Sequence, residues 1–138
     1  MERLTYPEET IKEYNKLKFS KNKAIVLYIS DEFELKIAKV FSKSDFSHES
    51  FVSEFPRNEP RFGVLDLDFE TDDHIKTYKL VMINWIPEGI SSTARMKYIS
   101  NSAFVMNKFD GIYVRLTANE EEDVSYENLV EKCKEKMY

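Results

Sequence analysis

Tyr78-Lys79-Leu80-Val81-Met82-Ile83-Asn84-Trp85 is a nearly continuous apolar run of strand length, ended by the strand-breaking Ile86-Pro87-Glu88-Gly89. A strand alternates its side chains between two faces, so a run that is apolar at odd and even positions alike must be covered on both sides. It reads as a central strand with a layer above and a layer below. On its N-terminal side, Glu70 to Thr77 (ETDDHIKT) is polar and rich in turn formers. Before that, Arg61 to Phe69 alternates Phe62, Val64, Leu65 and Leu67 with Asp66 and Asp68. The two runs predict a hairpin with a projecting loop. On the C-terminal side, Ser91 or Ser92 can cap a long helix running to about Phe109, and Gly111 supplies the left-handed residue that ends it. Ile112 to Thr117 reads as a last strand, Ala118 to Asp123 as an acidic turn, and Ser125 as the cap of a helix through Lys136.

Toward the N-terminus, Ala24 to Ser30 and Glu34 to Phe41 predict a hairpin around Asp31-Glu32. Ser47 can cap a short helix carrying Phe51, Val52 and Phe55, stopped by Pro56 and Pro60. Thr5, Pro7 and Glu8 have the form of a capping box, and Ile11, Tyr14 and Leu17 recur at helical spacing, giving a first helix over Tyr6 to Lys18. The element order α-β-β-α-β-β-α-β-α contains no linker, repeat or low-complexity segment. It predicts one α/β layered domain over residues 1–138.

Composition bounds the function. The 138 residues are 42% hydrophobic and 33% charged with three Gly and four Pro, which excludes collagen-like and disordered classes. A net charge of −5 repels nucleic acid and anionic membranes, so no nucleic-acid partner is expected and an acidic partner needs a local basic patch. Cys133 stands alone, which rules out an internal disulfide and a Cys-based zinc cluster. The N-terminus lacks the apolar core of a secretory leader and the longest apolar runs fall far short of a bilayer span, so an intracellular protein that is not integral to a membrane is expected.

Catalytic chemistry finds little support. His48 and His74 lie in unrelated segments without ligand-spaced neighbours and read as surface histidines. Three isolated glycines cannot build a phosphate-cradling loop. The carboxylates from Asp66 to Asp73 read as a polar strand face and its loop; a small hydrolase using them is the competing alternative. Cys133 reads as structural. No catalytic residue, metal or cofactor is expected, and the protein is not expected to be an enzyme.

Binding chemistry is more informative. On the long helix, Tyr98, Val105 and Phe109 make one core stripe with Ser102 as a small spacer, yet Met96, Phe104 and Met106 are left over. Either Ile99, Ala103 and Met106 widen the core face, or a docking ridge exists in which Arg95 and Lys97 rim the flexible anchor Met96. A second surface would gather Lys132, Lys134 and Lys136 with Lys76 and Lys79. From composition alone the interleaved Glu131 and Glu135 favour a merely solvated face.

The segments Lys79 to Pro87 (KLVMINWIP), Arg95-Met96-Lys97-Tyr98 and Phe109-Asp110-Gly111-Ile112 resemble the ADF/cofilin family of actin-binding proteins. Tyr14-Asn15-Lys16-Leu17-Lys18, Gly63-Val64-Leu65-Asp66 and Val124-Ser125-Tyr126 extend the resemblance over nearly the whole chain. It implies the ADF-homology fold, a central mixed β-sheet of about five strands between helices on both faces. It also implies a protein that binds monomeric and filamentous actin and promotes filament severing and depolymerisation. Such a protein would act as a monomer in the cytoplasm and its actin cytoskeleton, and in the nucleus, with competition from phosphoinositides as a weaker expectation.

Carried over by position, the monomer-facing residues are Arg3, Leu4, Arg95, Met96 and Lys97, with Met106 replacing a usual charge by apolar contact. The filament-facing residues are Lys76, Lys79, Glu131 and Lys132. The family's regulatory serine and following glycine align with Glu2-Arg3, so that phosphorylation switch is lost. Positions that usually carry Lys or Arg hold Ser102, Met106, Asn107 and Glu135, which should weaken electrostatic steering toward acidic actin. Two alternatives accompany this reading. One is a glia-maturation-factor-like debranching protein on the actin-nucleating complex, mildly suggested by Glu59-Pro60-Arg61-Phe62. The other is a monomer-sequestering protein with no filament activity.

Overall fold

The computed structural model describes residues 3–138; the Glu2 reading lies outside them. Five strands, β1 (Ala24–Ile29), β2 (Leu35–Phe41), β3 (Arg61–Glu70), β4 (Lys76–Trp85) and β5 (Val114–Ala118), form one sheet in the order β2-β1-β3-β4-β5. β3 and β4 pair antiparallel along their whole length, from Arg61 opposite Trp85 to Glu70 opposite Lys76. β5 joins β4 in parallel, because the connection between them is a crossover through the long helix α3 (Ser92–Lys108). The sheet is therefore mixed, as expected.

The apolar run of β4 divides as its pleat requires. Val81, Ile83 and Trp85 enter one core with Phe51, Phe55, Leu129 and Cys133, beneath α2 (His48–Val52) and α4 (Tyr126–Met137). Met82 enters the opposite core with Tyr14, Leu17, Tyr98, Val105 and Phe109, beneath α1 (Glu8–Lys18) and α3. Helices thus cover both faces.

Specific contacts fix α3 and α1. The Tyr98 ring stacks on Phe62 with centroids 5.2 Å apart, and its hydroxyl accepts the Ile29 backbone N–H at 2.8 Å. Tyr14 stacks on Phe109 at 4.3 Å and donates to the Asp110 carbonyl, while Lys18 pairs with the Asp110 carboxylate at 2.6 Å. Gly111, at φ +87°, is the left-handed residue that turns the chain from α3 into β5. Gly63 is required by crowding: a Cβ there would lie 2.6 Å from Phe55 Cζ.

Three expectations are corrected. Thr5 does not cap α1, which starts at Glu8 after Pro7 with no side-chain cap. Instead Thr5 forms a parallel bridge with Glu34, donating to the Phe33 carbonyl at 3.1 Å and accepting from Leu35 at 2.8 Å. The neighbouring Leu4 is buried in the α1/α3 core, and that burial holds the segment extended against β2. β4 begins two residues early, so the hairpin connection shrinks to 71–75. His48 is not a free surface histidine: it is half-buried, with Nε2 donating to the Val124 carbonyl at 2.7 Å.

Ser47 and Ser125 cap their helices as read, accepting from Ser50 and Asn128. Ser91 caps α3 by accepting from Ala94 at 3.1 Å.

Candidate functional site

α3 turns Tyr98 and Val105 into the core, and its far side stays bare. Met96 is 64% exposed, Ile99 50% and Phe104 43%, with Ala103 also exposed. Spacings of three and four residues align Met96, Ile99 and Ala103 as an apolar ridge along the helix. Of the residues that were to widen the core face, only Met106 does so, half-buried against Tyr98's cluster. The ridge is the leftover face.

Its two flanks are cationic and anchored. Arg95, half-buried, donates to the Pro87 carbonyl at 3.2 Å and the Glu88 carbonyl at 3.5 Å, in the segment after β4. Lys97 on the other flank donates to the Ser30 carbonyl at 3.2 Å and lies 5.7 Å from the Phe33 ring centroid. Backbone carbonyls hold both side chains in place beside Met96, which lowers the ordering cost of using them in an interface. Arg3 is exposed. Leu4 is 3% exposed and offers a partner nothing, a correction to its placement on the monomer-facing surface.

The second surface lies on the opposite side of the sheet. α4 buries Leu129 and Cys133, and burial pushes the Cys133 thiol up to about 11, so it is inert packing. The same helix leaves Glu131 and Lys132 exposed. Lys79 and Lys136 place their ammonium groups 4.4 and 4.5 Å from the centroid of one ring, Tyr113, and Lys136 also donates to the Tyr113 carbonyl. Lys132 is one turn before Lys136 on the same side of α4, 3.8 Å from Glu135. Asp72 ties the hairpin loop to the helix end: its carboxylate meets Lys134 at 3.0 Å and its N–H donates to the Tyr138 hydroxyl at 3.2 Å. Loop and helix form one surface.

Lys76 does not join it. Three residues from Lys79 along an unbroken strand, it points to the other face of the sheet. There it adds a minor pull on Asp68, whose carboxyl is held below the ordinary range chiefly by Lys23 at 2.6 Å. The carboxylates weighed as an acid–base pair are dispersed: Asp66 is buried beside Ser20, Asp68 pairs with Lys23, and Asp72 with Lys134. Tyr113 was missed because no local pattern separates an aromatic that fills a core from one that seats two ammonium groups.

Residues 4–134 match the family of cofilin/tropomyosin-type actin-binding proteins. Cofilin of Ogataea parapolymorpha is 26% identical over 126 residues, covering 91% of this chain and 88% of that protein. Among solved structures, Streptomyces griseoflavus cofilin superposes with a TM-score of 0.87 at 24% identity, over 96% of this chain and 98% of that one. The glia maturation factor of Caenorhabditis elegans superposes with a TM-score of 0.76 at 25% identity, over 96% of each chain.

Proposed function

This chain belongs to the cofilin/tropomyosin-type actin-binding family, and on that basis we propose that it binds monomeric and filamentous actin and promotes filament severing and depolymerisation. The observation that carries the reading is the placement of two unlike surfaces on opposite faces of one sheet. One is the Met96 ridge with its anchored cations; the other is the Lys79, Lys132 and Lys136 cluster with Glu131 on α4. A molecule with two such surfaces bridges two neighbouring subunits. The ridge docks in an apolar cleft of one, and the lysines meet the acidic surface of the next.

Bridging favours whichever filament geometry fits both contacts, and it shifts the filament only by its differential affinity for that geometry. Boundaries between decorated and bare segments are then mechanically mismatched, and breaks concentrate there. The protein acts as a monomer in the cytoplasm, and any phosphoinositide competes at the lysine cluster, since the net charge of −5 repels anionic surfaces elsewhere.

Separation of function tests this. Lys79→Ala with Lys132→Ala is expected to abolish severing and weaken filament binding while monomer binding persists; Met96→Ala weakens both. If the double substitution leaves severing of labelled filaments unchanged, the second surface is wrong. The likeness to a glia maturation factor supports a second reading, a debranching protein on the actin-nucleating complex. Loss of branches without filament binding would select it.

A further inference from the structure

Between α2, the segment after β4 and the start of α4 lies a cleft of about 1230 Å³ that neither actin-facing surface uses. Its floor is apolar and aromatic, made by Val52, Phe55, Trp85 and Pro87. Trp85 donates its indole N–H to the Pro56 carbonyl at 2.6 Å, and His48 on the wall is held to the Val124 carbonyl, so both rings are fixed with those donors spent. Its rim is acidic. Glu49, Glu88, Glu120, Glu121, Glu122 and Glu127 are exposed around it, against the single cation Arg57. Among the described residues none of these six carboxylates forms a salt bridge, whereas elsewhere Asp68, Asp72 and Asp110 each hold a lysine within 3.0 Å. Like charges gathered and left unpaired repel one another, and a cationic guest relieves that repulsion.

Size selects a chain over a small cation. The cleft is open, and its lining is drawn from α2, the segment after β4 and the start of α4, an extent that suits a peptide segment. The rim is acidic and Tyr126, 39% exposed, presents a ring beside it, which suits a segment carrying arginine or lysine with apolar residues between them.

We propose that this cleft is a docking groove for a basic segment of a partner protein, seated beside Tyr126 with its cations on the glutamate rim. None of the proposed actin-facing residues lines the cleft, although its Pro87 and Glu88 carbonyls also hold Arg95, so the proposal stands or falls without the actin reading.

Trp85 is the chain's one tryptophan and reports from the cleft floor. The probe is a peptide of about eight residues alternating arginine and leucine, read by Trp85 emission and by amide shifts in the full chain. The expected result is saturable binding with shifts confined to the Trp85 indole, residues 48–57 and residues 119–127. Glu121→Lys with Glu122→Lys should weaken it by about tenfold or more, while Asp31→Lys with Glu32→Lys, the same charge change in the exposed β1–β2 turn, should weaken it less than about threefold. Four results overturn the proposal: no saturable change, shifts spread over the acidic surface, equal loss in both variants, or the same shifts and affinity from spermine, which carries charge without a chain.

Discussion

Replacing Met96 with alanine should weaken actin binding about tenfold and leave the fold intact. The side chain is 64% exposed and touches no core cluster, so the free protein loses almost nothing; alanine is also the better helix former. Fully burying a methionine side chain contributes about 1.5–3 kcal/mol. Roughly two-thirds of that surface is still in water before docking, so about 1–2 kcal/mol is available from the contact. At 1.4 kcal/mol per factor of ten, this is roughly a five- to thirtyfold rise in Kd. The assay is titration of fluorescently labelled actin monomers, with thermal unfolding of the variant run alongside. A Kd within about twofold of the parent, with the melting transition unmoved, would refute the ridge as the docking element.

Three further outcomes follow from packing and charge. Gly63→Ala forces a Cβ to 2.6 Å from Phe55 Cζ beneath buried rings, and should cost about 1–3 kcal/mol, read as a lower urea midpoint with an unchanged slope. Tyr98→Phe removes the hydroxyl that accepts the buried Ile29 N–H and should also cost about 1–3 kcal/mol in urea unfolding; a loss below a few tenths would show that water replaces the hydroxyl. Burial raises the Asp66 carboxyl above its ordinary range, only partly offset by Lys23 and Ser20. The folded chain therefore holds that proton longer than the unfolded chain, and stability is lost as pH rises through the folded pKa. Asp66→Asn should be more stable than the parent at about pH 7, with the gap closing by about pH 3; a gap that widens in acid contradicts the sign.

The layers were legible because burial on both faces leaves a signature no half-buried strand shares. Val81, Met82 and Ile83 could only belong to a covered strand, and Tyr98, Val105 and Phe109 only to a helix packed on it. Ser47 and Ser125 were legible as caps because a side-chain oxygen three residues before an unpaired N–H is a local geometry. Thr5 misled for the same local reason: its pattern is that of a cap, but the long-range burial of Leu4 draws the segment onto β2. Lys76 and Lys79 were grouped by closeness in sequence, and a two-residue period separates what a loop would have kept together. The ridge at Met96 and Ile99 was visible as an excess of apolar residues. That Arg95 and Lys97 are already bonded to the Pro87 and Ser30 carbonyls depends on loops far away in the chain, and no local pattern announces it.

Co-sedimentation with preassembled actin filaments, at two salt concentrations and with actin quantified in pellet and supernatant, puts the two-surface remodeller at risk. Protein is expected in the pellet at low salt, with actin released to the supernatant in proportion to added protein. Filament binding should fall as salt screens the exposed lysine cluster. Neither protein in the pellet nor actin in the supernatant, even at low salt, would contradict it.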